Sequence, residues 1–211
     1  MWAVPKRSQE DPDFSGSMDR RTLIAFLEKY ESAYGEERDY RPRFLSLLRN
    51  FEHCYSRQLE TGHITASAFI VDECADAVLL VNHRKLGRWL QPGGHADGEE
   101  NLVLVATGEA REETGLERLS LILHQPFDID IHPIPSAENL KTHFHYDLRF
   151  LFTAGRSDNL NPNHESTALA WIARKQLAEV TGGNTSILRM MEKAASLNTD
   201  RSQFNTARQP S

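Results

Sequence analysis

The stretch from Pro92 to Leu116, PGGHADGEENLVLVATGEAREETGL, constrains this chain more than any other. It carries Glu109, Glu112 and Glu113 at offsets of zero, three and four, so a helix here sets all three carboxylates on one face. Like charges so placed repel, by roughly a few tenths of a kcal/mol for Glu109 with Glu113 alone. A divalent cation is the simplest group to offset that repulsion. Pro92, Gly93 and Gly94 break regular structure after Trp89 and Leu90, and Asp97-Gly98 marks a second turn. Glu99 and Glu100 then begin a helix with negative charge at its positive end, and Gly115 supplies a left-handed stop. Leu102, Val105 and Ala106 share the side of Glu109 and Glu113, so the front half packs while the back half presents acid.

This segment resembles the signature of the Nudix hydrolases, G-x5-E-x7-R-E-U-x-E-E-x-G-U with U aliphatic. The pattern runs from Gly94 through Glu100, Glu109, Ala110, Glu112, Glu113 and Gly115 to Leu116. One position departs. Gly108 stands where the family has an arginine held to brace the signature carboxylates, and a glycine inside a helix costs about 1 kcal/mol relative to alanine. The resemblance is strong over the signature and looser over residues 61 to 175. It implies an α/β fold, a Nudix-like α/β/α sandwich with a mixed sheet, preceded here by an N-terminal helical hairpin. It also implies Glu112 and Glu113 as metal ligands, Glu109 as the group that positions or deprotonates the attacking water at the same metal, and the Gly94 carbonyl as a further ligand. Mg²⁺ (or Mn²⁺) suits such an oxygen set, and the reaction implied is hydrolysis of a diphosphate linkage in a nucleoside diphosphate derivative or related small molecule. Two other readings stay open within the family's fold. One is a ligand-binding or sensor domain with weak or no catalysis because of Gly108; the other is an isoprenoid diphosphate isomerase, disfavoured because neither Cys54 nor Cys74 lies in a catalytic motif.

Around the signature, 211 residues at 39% hydrophobic content suffice for one cored domain with a small appendage. No run reaches the about 20 apolar residues of a membrane helix, and the N-terminus lacks the apolar centre of a secretory signal. Two cysteines form neither a disulfide framework nor a CxxC site, which points to a reducing cytoplasm. A net charge of −6 argues against a broad nucleic-acid surface.

Residues 1–18 read as a disordered lead, with Met18 an alternative start. Residues 19–60 read as a helical extension: Leu23, Phe26, Leu27 and Tyr30 recur at helical spacing, then Phe44, Leu47, Leu48, Phe51 and Tyr55, with Pro42 near the start of the second helix. This hairpin is expected to pack on the catalytic domain, to act as a substrate lid or to form a homodimer contact. Residues 61–197 form the main domain and 198–211 a mobile tail. Within the domain, Ile64, Ala66, Ala68 and Ile70 alternate with His63, Thr65, Ser67 and Phe69 as a strand does, and Ala77 to Val81 make a second.

Arg84, Lys85 and Arg88 form a basic cluster ahead of the signature, with Arg84 and Arg88 candidates for substrate phosphates. Two later strands each have one polar face. Asp128, Asp130 and His132 oppose Phe127, Ile129 and Ile131, and His143, His145, Asp147 and Arg149 oppose Phe144, Tyr146, Leu148 and Phe150. With a loop over Pro133 to Thr142 these polar faces lie side by side, either as exposed sheet polarity or as a wall where His95, His143, His145 and Arg149 read the substrate beyond its diphosphate. A second metal site at His143-x-His145 is a weaker option, because strands produce that spacing by chance. Glu165, before the Trp171-Ile172 strand, is a candidate additional acid or base. Helices are expected over Arg174–Val180 and Ser186–Leu197.

Overall fold

A computed structural model describes residues 18–136 and 141–206, with side chains to Leu197. The expected disordered lead, apart from Met18, and residues 207–211 of the expected tail lie outside the described residues. Asp19 caps α1 (Arg20–Lys29), its carboxylate accepting the Thr22 N–H at 2.8 Å. The second helix, α2 (Gly35–Asn50), carries Glu36 and Glu37 in its first turn, where negative charge is favoured. Pro42 therefore falls inside this helix, and Phe51 and Tyr55 lie beyond its end.

The remaining elements are β1 (Gly62–Val71), β2 (Ala77–His83), β3 (Arg88–Leu90), β4 (Gly93–His95), α3 (Leu102–Thr114), β5 (Ser120–Leu121), β6 (Asp128–Ile134), β7 (His143–Thr153) and β8 (Ser166–Ala173). A short 3₁₀ turn, Arg174–Gln176, then leads into α4 (Leu177–Val180), and α5 (Thr185–Thr206) follows. Helix α5 continues past the expected end at Leu197.

The strands form one mixed, curled sheet. Strands β1 and β7 run parallel along their whole length, from Gly62 opposite Phe144 to Val71 opposite Thr153. The outer edge of β1 is shared, with β4 on its N-terminal half and β2 on its last two residues. The outer edge of β7 is shared likewise by β6 and β5. Enclosed this way, β1 is buried on both faces, as a parallel central strand should be.

Alternation then divides the core. Ile64, Ala66, Ala68 and Ile70 pack with Leu23, Leu27, Phe44 and Leu48 of the hairpin and with Leu102, Ala106 and Ala110 of α3. Phe69, Val71, Val78 and Leu80 pack on the opposite side with Leu177, Ile187, Met190 and Met191. The expected α/β/α layering is thus present, and the hairpin is part of one layer. At the N-terminal end of β1 the second face carries His63, Thr65 and Ser67 instead of apolar residues.

A buried ionic network ties the layers together. Glu37, fully buried, accepts from Tyr30 Oη at 2.6 Å, the Ile129 N–H at 3.1 Å and Lys193 Nζ at 2.7 Å. Lys193 reaches on to Asp128 at 3.1 Å, and Arg189 holds Asp128 through two nitrogens at 2.9 Å each. Burial opposes ionisation of Asp128, yet these cations and Arg149 keep its carboxyl below the usual range.

Candidate active site

Gly93 and Gly94 lie on β4 opposite Ser67 and Ala66, and α3 crosses close behind them. A methyl group on Gly94 would overlap the Glu109 carboxylate, and one on Gly93 would overlap Ser67. The double glycine is therefore what lets the acidic helix approach the sheet. Glu113 is buried and accepts the Gly93 N–H; Glu109 is half-buried and Glu112 exposed. The helix begins at Leu102 instead of at Glu99. Asp97 sits in the left-handed region at φ 50, Glu99 accepts the Asn101 N–H at 2.8 Å, and Glu100 accepts the Arg20 N–H at 3.2 Å. Glu100 thus satisfies an orphan donor at the start of α1. Gly115 ends α3 at φ 72, as expected.

Burial raises the Glu113 carboxyl to about 8, helped by the charges of Glu109 and Glu165 and opposed by the Gly93 N–H. Burial likewise raises Glu109 to about 7, with Glu112, Glu165 and Asp97 adding to the effect and Arg57 opposing it. The charge of Glu165 is thus felt at both signature carboxyls. Its backbone is fixed by Arg84: the Arg84 N–H donates to the Glu165 carbonyl at 2.8 Å, and the Arg84 guanidinium donates to the carbonyls of His164 and Ser166 at 2.9 and 3.1 Å. Sequence reasoning missed Arg57. It grips Asp97 through Nε at 2.6 Å and through Nη2, and so pins the left-handed turn ahead of the helix.

The polar faces of β6 and β7 do lie side by side, with Asp128 opposite Arg149, Asp130 opposite Asp147 and His132 opposite His145. They are largely buried, so the exposed-polarity reading fails for Asp128, Asp130, Asp147 and Arg149. All three guanidinium nitrogens of Arg149 face aspartates: Nε to Asp147 at 2.9 Å, Nη1 to Asp128 at 3.2 Å and Nη2 to Asp130 at 3.1 Å. Burial pushes Asp130 up, but Arg149 and His132 hold it at about 2. Asp147 also accepts from Thr65 at 3.1 Å and Ser67 at 2.8 Å, which links this network to β1.

Beside it His63, His95 and His145 converge, with His143 stacked on His63 at 5.1 Å and its Nδ1 2.9 Å from the Lys141 carbonyl. Burial lowers all three converging rings, His95 to about 4 and His145 to about 2, so they are neutral at pH 7. Arg88 is exposed on the short strand β3, where it lies opposite His83 of β2. No helix among the described residues is long and apolar enough to cross a membrane.

Residues 61–193 match the family model for the NUDIX domain. The fold is shared with solved structures. A NUDIX-family hydrolase from Clostridium perfringens is 28% identical, with TM-score 0.52 over 64% of this chain and 97% of that one. The C. elegans Ap4A hydrolase, solved as a binary complex, is 17% identical, with TM-score 0.52 over 65% of this chain and 98% of that one. The MutT protein from Methanosarcina mazei Go1 is 16% identical, with TM-score 0.50 over 66% and 97%. No curated protein matches this sequence.

Proposed function

This chain belongs to the Nudix family, and from that premise we propose that it hydrolyses a diphosphate linkage in a nucleoside diphosphate derivative, with Mg²⁺ or Mn²⁺ bound by Glu109, Glu112, Glu113 and the Gly94 carbonyl. One observation carries the reading: Glu109 is pressed against Gly94 and Glu113 accepts the Gly93 N–H, while burial and neighbouring acidic charge raise both carboxyls into the neutral range. An oxygen-only set of closely placed carboxylates fits a hard divalent ion, which would relieve that repulsion. When bound, such an ion lowers the pKa of a coordinated water and neutralises charge on the bridging and leaving oxygens.

The chain's own residues do the rest. Glu109 holds the attacking water and takes its proton. Glu165, steadied by Arg84, is the second acid or base. Arg88, exposed on β3, meets the phosphates, while His95, His143 and His145, across β4 from the carboxylates, meet only what extends beyond the diphosphate, with Arg149 behind them. The two cysteines, Cys54 and Cys74, form no disulfide among the described residues, which suits a reducing cytoplasm.

A panel of nucleoside diphosphate compounds incubated with the protein, with and without Mg²⁺ or Mn²⁺, tests this by phosphorus NMR of the products. Metal-dependent cleavage between two phosphorus atoms is expected, and Glu112→Gln and Glu113→Gln should each remove nearly all turnover. Wild-type rates in either variant would refute the ligand assignment.

A further inference from the structure

A second group of side chains lies on the other side of β4 from the carboxylates. His63 and His145 face each other across the parallel β1–β7 pair, and His95 joins them from β4, where it lies opposite Thr65. Their ring centroids form a nearly equilateral triangle, 5.1 Å from His63 to His95 and 4.9 Å along each of the other two sides. One nitrogen from each ring lies within 4.8 Å of the others. In a strand pair, side chains of directly opposed residues share a face, so His95 projects with Thr65, whereas Gly94 lies with Ala66 on the face that meets α3. The two groups are back to back across one short strand.

Two nitrogens in the triangle are polar atoms without a partner. His63 is 2% exposed, and its Nε2 is buried with no hydrogen bond; the Nε2 of His145 is in the same condition. Buried polar groups are rarely left so. The Nδ1 of His63 lies 3.5 Å from the Leu59 carbonyl. A proton on that nitrogen leaves the lone pair of Nε2 free to coordinate, the arrangement by which outer hydrogen bonds orient metal-binding imidazoles.

We propose that His63, His95 and His145 form a binding site for a borderline transition-metal ion, Zn²⁺ in particular, distinct from the carboxylate site. Imidazole nitrogen suits Zn²⁺, Co²⁺ or Ni²⁺ and not Mg²⁺, which requires oxygen. Three neutral nitrogens with a fourth position left to solvent or substrate are a common zinc arrangement. Tetrahedral ligation at the usual length of about 2.1 Å sets nitrogens roughly 3.4 Å apart, so side-chain rotations of about 1 Å close the triangle. The bound ion fastens β4 to β1 and β7, and through β4 it holds Gly93 and Gly94 against the acidic helix.

The full-length chain, free of any polyhistidine tag, is stripped with chelator and dialysed against Zn²⁺ in excess Mg²⁺, and retained zinc is measured by mass spectrometry. About one equivalent is expected, retained equally by the Glu112→Gln, Glu113→Gln double variant and bound more than about 10-fold more weakly by His145→Asn and His63→Gln. Co²⁺ should give the intense visible bands of four-coordinate ligation in the wild type, a readout that stands even where a variant does not fold. No retained zinc, retention unchanged by both histidine variants, zinc lost with the carboxylates, or only the weak spectrum of six-coordinate Co²⁺ would overturn the assignment.

Discussion

Gly108 sits on the exposed side of α3, and no neighbouring side chain lies within 4 Å of where its Cβ would stand. The position that breaks the family pattern is thus open to a larger residue, so Gly108→Arg regains the roughly 1 kcal/mol that glycine costs inside a helix. A rise in melting temperature of about 2–4 °C is expected by differential scanning fluorimetry; a fall would mean that the glycine is required. The carboxyls give a pH prediction. Glu109 and Glu113 rise from 4.5 to about 7 and about 8 on folding, so the native state keeps protons that the unfolded state has released, and stability falls as pH rises through those values. The buried histidines act oppositely, but only below their ordinary value of 6.5, where the unfolded state takes up protons that the native state refuses. Between pH 6.5 and about 8 the carboxyls dominate, so the melting temperature of metal-free protein should drop across that interval and Mg²⁺ should flatten the drop. A flat metal-free profile would contradict the raised carboxyls.

Helices and strands were legible wherever a period was uninterrupted. The alternation of β1, the Gly115 stop and the polar faces of β6 and β7 follow from sequence because each depends on local geometry. Boundaries governed by remote partners did not. Glu100 looks like the first turn of α3 until Arg20, far off in sequence, takes its carboxylate, and Pro42 looks like a helix start because the pattern is silent about the Glu36-Glu37 turn. His63 went unremarked as a site residue because its neighbours His95 and His145 arrive only through the pairings of β4 and β7 with β1. Nothing in one strand's pattern reveals that three aspartates enclose Arg149, so its alternation alone suggests a substrate-facing side chain. That enclosure makes Asp128 an anchor. It is fully buried and shared by Arg149, Arg189 and Lys193, so Asp128→Asn strands buried positive charge and should cost about 3–5 kcal/mol in urea denaturation. A change below 1 kcal/mol would show the network to be dispensable.

The molecule is layered so that hairpin, sheet and α5 bury one another. Leu23, Leu27, Phe44 and Leu48 pack into the same core as α3 and the sheet, and Glu37 meets Lys193 from the far helix. Hairpin and main domain should therefore unfold together, giving one calorimetric transition with matching van't Hoff and calorimetric enthalpies. Two transitions would separate them. The family match begins at residue 61, yet a cut there would expose the hairpin's side of the core and take Glu37, one of its two acidic partners, from Lys193. Anyone splicing this protein into a chimera would do better to choose the crossover ahead of Met18, because the segment that reads as an appendage supplies a counter-ion and part of the greasy filling without which the remainder is an unfinished object.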